Sequence, residues 1–189
     1  MPILPAINSG TKGAVVPIAY QKLTNSTTST ITFSNIPQIY QDLFMVCYIG
    51  LYSTSLTQNY PYDSTLQLNS DVTSSNYSWT RLFGNGSGAG SERSTYCVVG
   101  KAPGNTTTSG TAFCSSTHHF LNYANTSTYK TILSRYASDQ NSGDTNSVVG
   151  EVVTLWRNTN ALSQIVLFQG NPYIQGTTIE LFGVRTVNQ

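Results

Sequence analysis

Charge is what this 189-residue chain has least of. Asp, Glu, Lys and Arg make up 9% of it, against roughly 25% in an average globular domain. Nine Lys and Arg are scattered singly from Lys12 to Arg185, and the net charge is +1. Phosphate backbones and anionic membranes are held by clustered cations. No such cluster exists, so neither nucleic acid nor a membrane surface is an expected partner. No apolar run reaches the length of a membrane-crossing helix. Met1 to Tyr20 does not read as a signal peptide, because it has no basic start and Pro2, Pro5 and Pro17 interrupt it. Helical periodicity is also missing: no segment keeps apolar residues at helical spacing beyond two turns. The three cysteines, Cys47, Cys97 and Cys114, are odd in number and far apart. They form no disulfide framework and read as small buried hydrophobes of a protein made in a reducing cytosol.

Ser, Thr and Asn fill the gap left by charge and account for about a third of the chain. Aromatics reach 11%, with 12 Tyr, which separates the chain from disordered polar sequences. Its length suits one well-buried core. From Asn146 to Val184 three strands are expected. They are Ser147 to Trp156, Leu162 to Phe168 and Tyr173 to Val184. The breaks are Arg157-Asn158-Thr159-Asn160 and Gln169-Gly170-Asn171-Pro172. Further strands are expected at Thr28–Ser34, Phe44–Tyr52, Thr65–Asn69, Tyr77–Phe83, Thr95–Val99, Thr111–Tyr123 and Thr128–Ala137. The spacing of turn residues indicates an all-β, antiparallel β-sandwich. Any helix is expected to be a single turn near Ile39 to Asp42. The expected core is Phe44, Val46, Tyr48, Val98, Trp156, Ile165, Leu167, Ile179 and Leu181.

Residues 1–19 read as an extended N-terminal arm and residues 20–189 as the sandwich domain. Three prolines and the lack of any period set the arm apart. Its apolar residues Ile3, Leu4, Val15, Val16 and Ile18 favour docking on a neighbouring subunit over waving in water, and they are the candidate interface residues.

Candidate chemistry is sparse. Gly84 to Gly90 lacks the Gly-Lys-Ser/Thr and the following helix of a phosphate loop, and reads as a flexible surface loop. His118 and His119 are adjacent, so on a strand they face opposite ways and cannot chelate one ion. Cys114 shares a face with His118, but zinc needs three or four ligands. Asp71 and Asp144 lie in Asn- and Ser-rich loops, where a calcium contact is conceivable chemistry but solvation is the ordinary reading. The eight acids are spread singly, so no carboxylate pair of the kind glycosidases use stands out. Five Asn-x-Ser/Thr triplets, among them Asn25-Ser26-Thr27 and Asn85-Gly86-Ser87, follow from the composition. No catalytic residue, metal site or cofactor is expected.

Several strings, taken in order, resemble a family. Ile31-Thr32-Phe33-Ser34-Asn35-Ile36-Pro37-Gln38-Ile39-Tyr40-Gln41-Asp42-Leu43 resembles a block opening a β domain in virion proteins of tailed bacteriophages, often those infecting cyanobacteria and marine bacteria. Leu68-Asn69-Ser70-Asp71, Ser75-Asn76-Tyr77-Ser78, Asn122-Tyr123-Ala124-Asn125, Tyr129-Lys130-Thr131 and Gly176–Val184 add to it. Together they span most of residues 28 to 185. The resemblance implies a jelly-roll-like, homotrimeric module on the virion surface. It also implies partners among the major capsid protein or other virion proteins, and assembly in the host cytoplasm. A short arm in place of a long shaft favours a capsid decoration, or cement, protein. The alternatives are a tail-fibre module in which Tyr60, Tyr62 and Tyr77 stack on host glycans, and, more remotely, a glycan hydrolase.

Overall fold

A computed structural model describes residues 15–24, 27–53, 61–105, 111–138 and 147–185. It is an antiparallel β-sandwich without an α-helix among the described residues. The strands are β1 (Val15–Lys22), β2 (Thr28–Phe33), β3 (Asp42–Ile49), β4 (Leu51–Tyr52), β5 (Tyr62–Leu68), β6 (Tyr77–Gly84) and β7 (Ala89–Ser94). They continue with β8 (Val98–Ala102), β9 (Gly104–Asn105), β10 (Cys114–Leu121), β11 (Lys130–Ser138), β12 (Val148–Trp156), β13 (Ile165–Tyr173) and β14 (Thr178–Val184). The larger sheet has eight strands in the order β1-β14-β3-β10-β11-β12-β6-β7, all antiparallel. The smaller has the order β8-β5-β13-β4-β9, with β2 also on β13.

The main hydrophobic core lies between the sheets, with a smaller cluster of Trp79, Val98, Tyr136 and Val152 beside it. It is built from inward residues of alternating strands, among them Leu43, Met45, Ile132, Trp156, Ile179 and Leu181, with Leu66, Leu68, Ile165 and Leu167 opposite. Val98, Trp156, Ile165, Leu167, Ile179 and Leu181 are buried, as the alternation predicts. In β3 the register is the other one. Leu43, Met45, Cys47 and Ile49 point inward, while Phe44 and Val46 are half-buried and Tyr48 is exposed. Both alternations of this strand are apolar, so periodicity carries no information about which set faces the core.

Other boundaries differ too. The expected arm does not end at residue 19, because Val15–Lys22 is β1, an edge strand paired with β14. Pro17 sits where the register shifts, between Pro17 and Ala19. An edge and a bulge are the two places a strand tolerates proline. Ile18 is buried in the chain's own core, Val16 packs against it and Val15 is exposed. Ile3 and Leu4 lie outside the described residues. Strand β13 runs straight through Gln169–Pro172, with a register shift between Phe168 and Tyr173. The turn falls later, at Gly176, whose φ of 92° suits glycine. Ala89–Ser94, whose first two residues were expected as loop, is the edge strand β7. No helix forms at Ile39 to Asp42. Among the described residues the one helical turn is a 3₁₀ segment at Ser74–Asn76.

Candidate functional site

The residues singled out for chemistry are placed first. Strand β10 does put His118 and His119 on opposite faces. His118 is buried between the sheets, with its Nε2 3.0 Å from the Ser116 hydroxyl and its Nδ1 2.9 Å from the Ser134 hydroxyl. Burial lowers its pKa to about 3, so the ring stays neutral. Burial also pushes all three cysteine thiols well above the ordinary value. Among the described residues no three His, Cys, Asp or Glu side chains gather as a metal site.

Asp71 is fully engaged by donors. Its Oδ2 accepts from Trp156 Nε1 at 2.8 Å and from Asn76 Nδ2 at 2.8 Å, and its Oδ1 accepts from the Thr73 amide at 2.9 Å. Desolvation raises its pKa, but these donors prevail and hold it below the ordinary carboxylate value. Converging N–H groups would repel a cation, so the calcium contact raised for Asp71 does not fit. Asp144 lies outside the described residues. Tyr77, offered as a glycan platform, is buried instead. Its hydroxyl donates to the Asp71 carbonyl at 2.9 Å and accepts from the Leu68 amide at 3.2 Å. The half-buried Tyr62 hydroxyl is 2.7 Å from Ser53 Oγ, and Tyr60 lies outside the described residues.

One charged cluster went unseen in the sequence. Arg81, only 4% exposed, reaches inward from β6 to Asp63 on β5 at 3.0 Å and pairs with Glu92 on β7. Lys101 on β8 meets the same Asp63 oxygen at 2.8 Å. The rings of Trp79 and Phe83 flank the guanidinium at 5.2 and 5.4 Å. The cluster ties the two sheets together at one end. Its members come from four strands, so no sequence spacing announces it.

The feature that stands out is the outward face of the larger sheet. Pairing of β14, β3, β10, β11, β12 and β6 aligns Phe182, Phe44, His119, Leu133, Val153 and Thr80 in one cross-strand ladder. The next ladder holds Glu180, Val46, Thr117, Arg135, Glu151 and Leu82. The third holds Thr178, Tyr48, Ser115, Ala137, Val149 and Gly84. Tyr48, Leu82, Leu133, Val149 and Val153 are each 43–62% exposed. Tyr48 stacks on Phe113 at 4.5 Å with 8° between the planes. Three adjoining depressions of about 700, 400 and 360 Å³ mark this face and share Thr117, Ser115, Arg135, Glu151 and Val149 among their walls.

Its charges are mostly matched internally. Arg135 Nε donates to Glu151 Oε1 at 2.5 Å. His119 Nε2 is 2.9 Å from Asp42 Oδ2, and the Asn122 amide donates to Asp42 Oδ1 at 2.6 Å. Such a face, apolar with few self-paired charges, has the composition of a surface that becomes covered. Of the five candidate arm residues, Val15 and Val16 lie on β1 at the rim of this sheet and Ile18 is turned into the core. The face went unseen in the sequence, where three of its residues, Phe44, Val46 and Tyr48, read as core. Comparison with family models, with curated proteins and with solved structures found no match.

Proposed function

We propose that this chain is a structural virion protein, a homotrimeric capsid decoration protein with a jelly-roll-type sandwich. The reading begins from the resemblance of residues 28–185 to tailed-phage virion proteins. One observation supports it: the outward face of the eight-stranded sheet carries Tyr48, Leu82, Leu133, Val149 and Val153, which the described residues leave largely exposed. Long-lived subunit contacts are larger and more apolar than transient ones, and a shell protein exists only in contact with neighbours. In this reading the face is covered in the trimer, and the trimer binds the assembled capsid but not its free subunits. Mass action then shifts the equilibrium toward the closed shell. No catalytic step is assigned to the chain. The glycan-stacking alternative is weakened, since Tyr77 is engaged inside the fold.

The test is light scattering on the purified chain, followed by copy number on reconstructed particles. A trimer at micromolar concentration with hundreds of copies per head supports the proposal. A monomer, or a location at the tail in a few copies, refutes it.

A further inference from the structure

Residues 1–14 lie outside the described structure, and their sequence divides in two. Pro2-Ile3-Leu4-Pro5-Ala6-Ile7 is wholly apolar. Asn8-Ser9-Gly10-Thr11-Lys12-Gly13-Ala14 is a polar tether with two glycines. Prolines at positions 2 and 5 are three apart, the repeat of a polyproline helix, which would put them on one edge. Segments of that kind dock in grooves with aromatic walls.

The outward face offers such a groove. Its first ladder runs Phe44, His119, Leu133, Val153, Thr80 across five strands. The Phe44 and His119 rings meet edge to face at 6.4 Å at one end. Four strand spacings amount to about 19 Å, and six residues in a polyproline form also span about 19 Å. We infer that Pro2–Ile7 of one copy lies across this ladder on a neighbouring copy, with Ile7 toward Phe44 and Pro2 toward Thr80. The inference rests on the trimer proposed above and names its contact.

Two further observations support this occupant. The tether must leave the face over β14, where Glu180 is exposed and forms no salt bridge among the described residues. The tether carries Lys12 and residues 1–14 contain no acid, so the charges are complementary. The direction of β1 points to a neighbour. Val15 pairs with Val184 and Lys22 with Thr178, so the chain enters β1 at the end of the sheet occupied by Asp42. To reach its own face it would have to reverse within the tether. To reach another copy it runs on outward. A contact of arm to face is heterologous, the kind that closes rings.

The experiment uses the full chain with the photo-cross-linker p-benzoylphenylalanine placed at position 133. Unlabelled and ¹⁵N-labelled chains are mixed, unfolded and refolded together, and trypsin releases the arm as the peptide ending at Lys12. The expected result is a cross-link between position 133 and that peptide, with mixed-isotope pairs at about half of the total. The same probe at Val72, exposed and away from the face, should give none. Adducts confined to one isotope would mean that the arm covers its own chain and would overturn the inference. A trimer by light scattering without arm adducts, or with adducts only between two faces, would overturn it while leaving the trimer standing. A monomer would remove both. As a second variant, Leu4→Asp should leave circular dichroism unchanged and abolish the adduct. An undiminished adduct would overturn the seat.

Discussion

On the inward face of the eight-stranded sheet stand Ser116, His118, Ser134, Thr154 and Arg81. On the outward face, at the next positions of the same strands, stand Thr117, His119, Leu133, Val153 and Leu82. The inner side thus holds polar groups where a core is expected, and the outer side holds aliphatics where water is. Most of the inner anomaly is resolved within the chain, although Arg81 Nε and the Tyr136 and Tyr173 hydroxyls are buried without a hydrogen-bond partner among the described residues. His118 has its two serines, Thr154 Oγ1 donates to the Val98 carbonyl at 2.5 Å, and Lys130 Nζ donates to the carbonyls of Thr128 and Thr159 at 2.8 and 3.2 Å. A buried polar group that is hydrogen-bonded costs little, whereas one left bare costs about 1–3 kcal/mol. The outer anomaly is not resolved by any described residue. That asymmetry makes the outer face, not the buried histidine, the informative one.

Mutations can break this comparison at several points. Replacing Trp156 by Ala on the inner side should destabilise the fold by about 3–5 kcal/mol, with the Asp71 carboxylate losing a donor as well. Leu155→Ala, one residue away and facing outward, should cost about 1 kcal/mol or less. Equal losses in chemical denaturation would show that the two faces are not distinct. Arg81→Ala should cost about 3 kcal/mol, at the low end for a broken buried ion pair because its acidic partners are partly exposed. Arg81→Met, filling the space between Trp79 and Phe83, should recover part of that. No recovery in thermal unfolding would mean that charge, not packing, holds this end.

Acid acts on the buried histidine. Burial takes His118 from 6.5 to about 3. The unfolded state therefore binds the extra proton, and stability falls as pH drops below 6.5. At pH 5 the loss should be about 2 kcal/mol from this group alone. His118→Asn should remove that part of the slope, and an unchanged slope would mean that the ring is not held neutral. The smallest effect on the fold is expected from Leu133→Ser, under about 1 kcal/mol. Its effect on assembly should be large, with light scattering showing loss of the proposed trimer at unchanged circular dichroism. A variant that still assembles would exclude this face as the contact.

Much of the sandwich is legible in the sequence because β-branched and aromatic runs end at Gly, Asn and Pro. Trp156, Ile179 and Leu181 sit on strands whose other face is polar enough to orient them or whose ends are well marked. Legibility fails where a rule of local composition is overridden by a neighbour. Strand β13 continues through Gly170 and Pro172 because it is held on either side of them, at Ile165–Phe168 by β2 and β5 and at Tyr173 by β2 and β4. Strand β7, Ala-Gly-Ser-Glu-Arg-Ser, has little intrinsic β-preference and forms by pairing with β6. The candidate face was illegible for a different reason. A strand apolar on both sides, such as Asp42–Ile49, states that two surfaces are to be covered and does not say which cover belongs to the same molecule.

Both rims of the larger sheet are stoppered. At one, Pro17 lacks an amide hydrogen and bulges β1 away from ideal pairing. At the other, β7 carries Glu92 drawn toward Arg81 and the exposed Arg93. Proline, bulges and inward-turned charge are the devices by which an edge refuses an added strand. Growth by strand addition has no natural end point and leads to fibres, whereas growth by covering faces stops when the faces run out. A protein with blunt rims and a face that the described residues leave open is therefore suited to assemblies of countable size, built through that face and not by added strands.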